Sequence, residues 1–156
     1  MMAASALITL LDAEGVGYEL ISHDHTERAS DEAEALGVQP SSVAKTLVVA
    51  VPEGYVRAIV PATARLDLHK LREILGASSK KVQLASEQDL RRDFPEFELG
   101  AVPPVGGRPD PVFVDGRLSE LDEFVFEAGS HDESVRLRAQ DLDRVADVRF
   151  VDICED

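Results

Sequence analysis

Thr46 to Val51 and Tyr55 to Val60 are two runs rich in β-branched residues, separated only by Pro52, Glu53 and Gly54. Such side chains fit a pleated, half-buried surface, and a short loop containing Gly joins antiparallel neighbours. The pair therefore predicts a β-hairpin with a three-residue loop, placed at the centre of a sheet. The longest strictly apolar run in the chain, Leu47 to Val51, lies inside it. That run is far short of the about 18 residues a membrane span needs, so no membrane role is expected.

The flanking segments predict helices and shorter strands around this hairpin. Leu7, Leu10 and Leu11 have i, i+3, i+4 spacing and mark an amphipathic helix ending at Gly15 and Gly17. Tyr18, Leu20 and Ser22 alternate as a short strand. Ser30 as N-cap, Asp31 and Glu32 in the first turn and Gly37 as terminator outline a second helix. Asp67 caps a helix carrying Leu68, Leu71 and Leu75 and closing at Gly76, and Ser86 with Asp89 forms a capping-box pattern for another. Strands are expected at Val82 to Leu84, Val112 to Val114, Glu123 to Phe126, Val135 to Leu137 and Val148 to Ile153. This order predicts one domain over residues 1–156, a mixed, mostly antiparallel α/β (α+β) fold and not a regular βαβ alternation.

Charge and cysteine content narrow the function. The single cysteine, Cys154, cannot form an intramolecular disulfide, and the N-terminus lacks the basic start of a secretory signal, so a cytoplasmic location is expected. Net charge is −14, which argues against DNA or any extended nucleic-acid surface. The distribution is uneven, however: residues 40–92 hold nine basic against five acidic residues, and the remainder is strongly acidic. A locally positive face is left that could hold a short piece of RNA, with Lys80, Lys81, Arg91 and Arg92 as its candidates near helix and strand ends.

Several residues carry potential chemistry. Lys45 enters the most apolar strand from the turn at Pro40 to Val43, where a cation either reaches out to solvent or is held for a purpose. Ser42 and Lys45 match S-x-x-K, but the companion motifs of penicillin-recognising enzymes are absent. His23 and His25 would share one side of an extended segment, half of a metal site if His69 or His131 joined them, or else an ordinary polar loop. Gly100 to Gly106, Gly-Ala-Val-Pro-Pro-Val-Gly, is a loop whose backbone can approach a ligand or simply turn. Gly129, Ser130 and His131 form a similar break, in which His131 is an acid–base group, an orienting donor or a turn residue.

Taken in order, these pieces resemble the YbaK family of aminoacyl-tRNA editing domains, which includes the insertion domain of bacterial prolyl-tRNA synthetases and its free-standing relatives. The resemblance rests on Glu34-Ala35-Leu36-Gly37, Val43 to Val48, Val60-Pro61-Ala62, Leu66 to Leu71, Gly100 to Gly106, and Ala128-Gly129-Ser130-His131 before Val135-Arg136-Leu137. It implies a barrel-like mixed sheet flanked by helices, and a metal-independent, cofactor-free hydrolase acting in trans on tRNA mischarged with a small amino acid of the Ala, Ser or Cys type. Lys45, Gly100 and His131 match the family's catalytic positions. His23, Thr46, Pro103, Gly106, Gly129 and Ser130 are the expected substrate-binding residues. The expected partners are the aminoacylated 3′ end of tRNA and an aminoacyl-tRNA synthetase. A competing expectation is a catalytically silent module of the same fold that docks to a synthetase.

Overall fold

A computed structural model describes residues 4–76 and 81–156, so Lys80 lies outside the described residues. The expected hairpin is there, as β2 (Ala44–Val51) and β3 (Gly54–Pro61), paired antiparallel along their full length. Its loop is shorter than the composition indicated: Val51 already pairs with Gly54, leaving Pro52 and Glu53 as a two-residue turn. Gly54, at φ +141°, takes a conformation side chains rarely adopt and so rejoins the ladder immediately.

The remaining elements are α1 (Ser5–Ala13), β1 (Tyr18–Ser22), α2 (Ala29–Leu36), α3 (Leu68–Leu75), β4 (Gln83–Leu84), α4 (Glu87–Asp93), β5 (Val112–Asp115), α5 (Gly116–Ser119), β6 (Glu123–Ser130), β7 (Glu133–Arg138) and β8 (Val148–Val151). Short 3-10 turns occupy Pro40–Ser42 and Ala139–Arg144. Helix ends follow the local chemistry in most cases. The Asp67 side chain accepts from the amides of His69 and Lys70, Ser86 and Asp89 form a reciprocal capping box, and Gly37 and Gly76 close α2 and α3 in the left-handed conformation. The exception is Ser30. Helix α2 starts at Ala29 with Arg28 in the N-cap position, so Ser30 lies inside the first turn and caps nothing.

The strands form two sheets. β4-β2-β3-β5-β8 is mixed, with β3–β5 and β5–β8 parallel, and β1-β7-β6 is antiparallel throughout. They meet at a bridge between Val43 and Val125, which brings the start of β2 beside β6. The main core gathers Leu7 and Leu11 of α1, Ile59 of β3, Val114 of β5 and Phe124 and Phe126 of β6. Each such buried side chain contributes about 1.5–3 kcal/mol. A second cluster under α3 joins Val49, Val60, Leu71 and Phe113, and a third packs Phe94 and Phe97 against Val48 and Val102. No helix among the described residues is long and apolar enough to cross a membrane.

Candidate active site

The line where the two sheets meet opens into a cleft of about 430 Å³, within the range of small-ligand sites. β2 contributes Lys45 and Thr46, the loop before β5 contributes Gly100 and Val102, α2 contributes Glu32, and β6 contributes Phe126 and Glu127. Lys45 and Gly100, 55 positions apart in the chain, thus reach one cavity. Lys45 makes no ion pair or hydrogen bond with any described residue, although the cleft also holds carboxyl groups.

Two sets of hydrogen bonds position the glycine-rich loop. Near the cleft, the Glu98 amide donates to Gly129 O (2.8 Å), the His131 amide donates to Glu98 Oε2 (3.0 Å), and His131 Nε2 donates to Leu99 O (2.6 Å). Gly100, at φ +83°, is thereby held against the His131 ring, which lies 3.4 Å from where a Cβ on that glycine would sit. On the far side, Arg57 is fully buried and its guanidinium donates to Pro103 O (2.9 Å), Gly106 O (2.7 Å) and the Asp110 carboxylate (3.3 Å) while lying over the Phe94 ring. Burial pulls its pKa down from the usual value, and Asp110 opposes that shift.

The expected residues therefore divide into groups. Lys45, Thr46 and Gly100 line the cleft. His131, Gly129 and Ser130 sit in the turn that carries the loop: His131 has a side chain 6% exposed with Nε2 committed to Leu99, and Ser130 donates to Asp132 Oδ1 (2.7 Å). Pro103 and Gly106 do not reach the cleft; both present carbonyls to Arg57, and Gly106 lies so close to α1 that a Cβ would come 3.0 Å from Leu7 Cα. His23 is outside the lining as well, with Nδ1 donating to Asp24 O (2.7 Å) and Nε2 meeting the Ser134 hydroxyl (2.8 Å). His25 pairs with Glu27 (2.7 Å), and among the described residues no group of three or more His, Cys, Asp or Glu is arranged to hold a metal ion.

Sequence reasoning missed the acidic end of the cleft. Glu32, read as a first-turn helix charge, is 1% exposed and hydrogen-bonded through Oε2 to Ser134. Glu127 has a side chain 10% exposed, and its Oε2 lies 2.8 Å from His131 Nδ1 without the alignment of a hydrogen bond. Burial first, then Glu32, Glu98 and Glu27, push the Glu127 carboxyl up to about 9, and burial likewise raises Glu32. The available signal was a charge interrupting an apolar strand: Glu127 stands between Phe126 and Ala128, as Arg57 stands between Val56 and Ala58. Of the expected docking cations, Lys81 and Arg91 are exposed and form no ion pair with described residues. Arg92 instead is paired with Asp89 (3.0 Å) and Asp93 (2.9 Å).

The model of the family described as aminoacyl-tRNA editing domain matches residues 23–145. The chain is similar to the Multifunctional Ser/Thr-tRNA deacylase ProXp-y of Escherichia coli K12, 29% identical over 151 residues, which take in 93% of this chain and 89% of that protein. It is also similar to Proline--tRNA ligase of Fervidobacterium nodosum, 30% identical over 109 residues, covering 70% of this chain and 18% of the ligase. A solved structure described as that of a candidate trans-editing enzyme for prolyl tRNA synthetase superposes with a TM-score of 0.88 at 25% identity, covering 99% of this chain and 98% of that one.

Proposed function

The chain belongs to the aminoacyl-tRNA editing domain family, and from that premise we propose that it is a trans-acting deacylase for tRNA mischarged with a small amino acid. The observation that carries the reading is the meeting of an unpaired lysine, Lys45, with the exposed backbone of Gly100 in one cleft. An aminoacyl ester is already activated, so hydrolysis requires a positioned water and a stabilised oxyanion and no covalent nucleophile. Water oxygen attacks the acyl carbon, the ester C–O bond breaks, and the ribose oxygen leaves as a hydroxyl that carries away a proton from the water. Lys45 supplies the cation facing the developing oxyanion, Gly100 offers its backbone to the water, and a ribose hydroxyl of the terminal nucleotide shares in the proton transfer.

In this reading His131 is a positioning residue, because its Nε2 is spent holding Leu99 and with it Gly100. Selection is by size. One methylene in a pocket is worth only about 1–3 kcal/mol, so neighbours of the preferred amino acid are cleaved as well. The tRNA is held chiefly by its 3′ end, with Lys81 and Arg91 as a small phosphate-docking face on an otherwise acidic body, and a synthetase is the candidate source of tRNA identity. The test is to incubate the protein with a panel of tRNAs misacylated with Ala, Ser, Thr and Cys and to follow free amino acid. Release from at least one small aminoacyl ester is expected; protection of every ester would favour the non-catalytic docking module instead.

A further inference from the structure

Among the described residues, three buried polar atoms at the acidic end of the cleft make no hydrogen bond: Glu32 Oε1, and Glu127 Oε2 and His131 Nδ1, which face each other at 2.8 Å. A buried polar atom left unpaired costs about 1–3 kcal/mol, and three together on one wall are unusual unless something else satisfies them. Glu32 and Glu127 line the cleft, and His131 lies against Glu127. The orphaned oxygen of Glu32 is not a loose end, because its other oxygen is fixed through fully buried Ser134 to His23, whose Nδ1 is tied to Asp24.

Two of the three atoms share one chemical character. His131 Nε2 faces a carbonyl oxygen, which only accepts, so Nε2 carries a proton and holds Leu99, while Nδ1 faces Glu127. The other two atoms are carboxyl oxygens, and Glu27 and Glu98 add two further acidic side chains around them. A group that fits two buried carboxyl groups in an acidic surround is cationic and carries N–H donors. Building on the deacylase reading, we infer that Glu32 and Glu127, the latter set in place by His131, form the receptor for the α-ammonium group of the aminoacyl ester. The ammonium is a fixed distance from the acyl carbon in every amino acid, so capturing it sets the ester carbonyl in register with Gly100 and Lys45 whatever the side chain. It also relieves the carboxyl crowding that keeps a proton on Glu127, so binding of the cation releases that proton to solvent.

The experiment uses two non-hydrolysable probes, 3′-deoxy-3′-(L-seryl)amino-adenosine and its N-acetyl derivative, in which the ammonium is replaced by a neutral amide. Binding is measured by calorimetry at pH 7 in buffers of different ionisation enthalpy. The wild-type protein binds the free amine at least about tenfold more tightly than the acetylated probe, the scale of a charge-assisted hydrogen bond, and releases close to one proton. Glu127→Gln and Glu32→Gln narrow that preference, and Glu127→Gln abolishes the proton release, with thermal melting confirming that both variants fold. Equal binding of the two probes by the wild-type protein overturns the inference even if the variants fail to fold, and leaves the deacylase reading intact when the misacylated panel is still hydrolysed. Binding of neither probe together with protection of the whole panel overturns both.

Discussion

Two regions of this molecule bury charge, and they do so in opposite ways. Arg57 is enclosed with its donors answered by three carbonyls and a carboxylate and its face against Phe94. Glu32, Glu127 and His131 are enclosed almost as deeply, and each keeps one polar atom that makes no hydrogen bond with the described residues. A buried cation whose hydrogen bonds are complete is an architectural peg: Arg57 fastens the Pro103–Asp110 stretch to the central hairpin and thereby sets where the loop begins its approach to the cleft. Buried acids left incomplete form a receptor, because the energy withheld on folding is available when a ligand arrives.

The comparison breaks first at Arg57. Replacement by Leu leaves Pro103 O unanswered and Asp110 with Arg108 as its remaining partner, and is expected to lower unfolding free energy by about 2–5 kcal/mol in denaturant titration. A loss below about 1 kcal/mol would mean the guanidinium is not the peg. Glu127 should behave in the opposite sense. Its folded carboxyl titrates at about 9, above the ordinary value of 4.5, so the stability gained from holding that proton is full below about pH 4.5 and is lost as pH rises through about 9. Wild-type stability therefore declines between pH 5 and 9, by up to about 1.4 kcal/mol per pH unit, with Glu32 acting in the same direction. Glu127→Gln flattens that profile in melts collected across the range; an unchanged profile would show that the crowding of carboxyls is not felt.

The smallest effect belongs to the surface cations. Each phosphate contact adds roughly 0.7–0.9 to the slope of log affinity against log salt. The Lys81→Ala, Arg91→Ala double variant is expected to reduce the slope for aminoacylated tRNA while leaving cleavage of a minimal acceptor-stem substrate at saturation largely intact. Arg92→Ala is expected to change the slope little, because its charge is already met by Asp89 and Asp93. An unchanged slope in the double variant would place the RNA on another face.

What could be read in the sequence was what is local. The hairpin of β2 and β3, the Asp67 cap, the Ser86–Asp89 box and the glycine closures of α2 and α3 all depend on residues within a few positions of one another. The loop and turn around Gly100 and Gly129 were visible too, but their partners were not: Ser134 and Glu32 are 102 positions apart, and Arg57 and Pro103 are 46 apart. The sequence order alone could not say that Pro103 and Gly106 serve the peg or that His23 serves Glu32. Nor does any periodicity mark the junction at Val43 and Val125, the bridge between the two sheets.

Lys45 tests the account most directly, since it is the lysine lining the cleft among the described residues and forms no ion pair with any of them. Single-turnover deacylation of the preferred misacylated tRNA, measured beside thermal melting for wild type and Lys45→Ala, should show a rate loss of about 10²-fold or more, as for removal of an oxyanion donor, with the melting transition essentially unmoved. A folded Lys45→Ala protein that hydrolyses the ester at the wild-type rate would contradict the account.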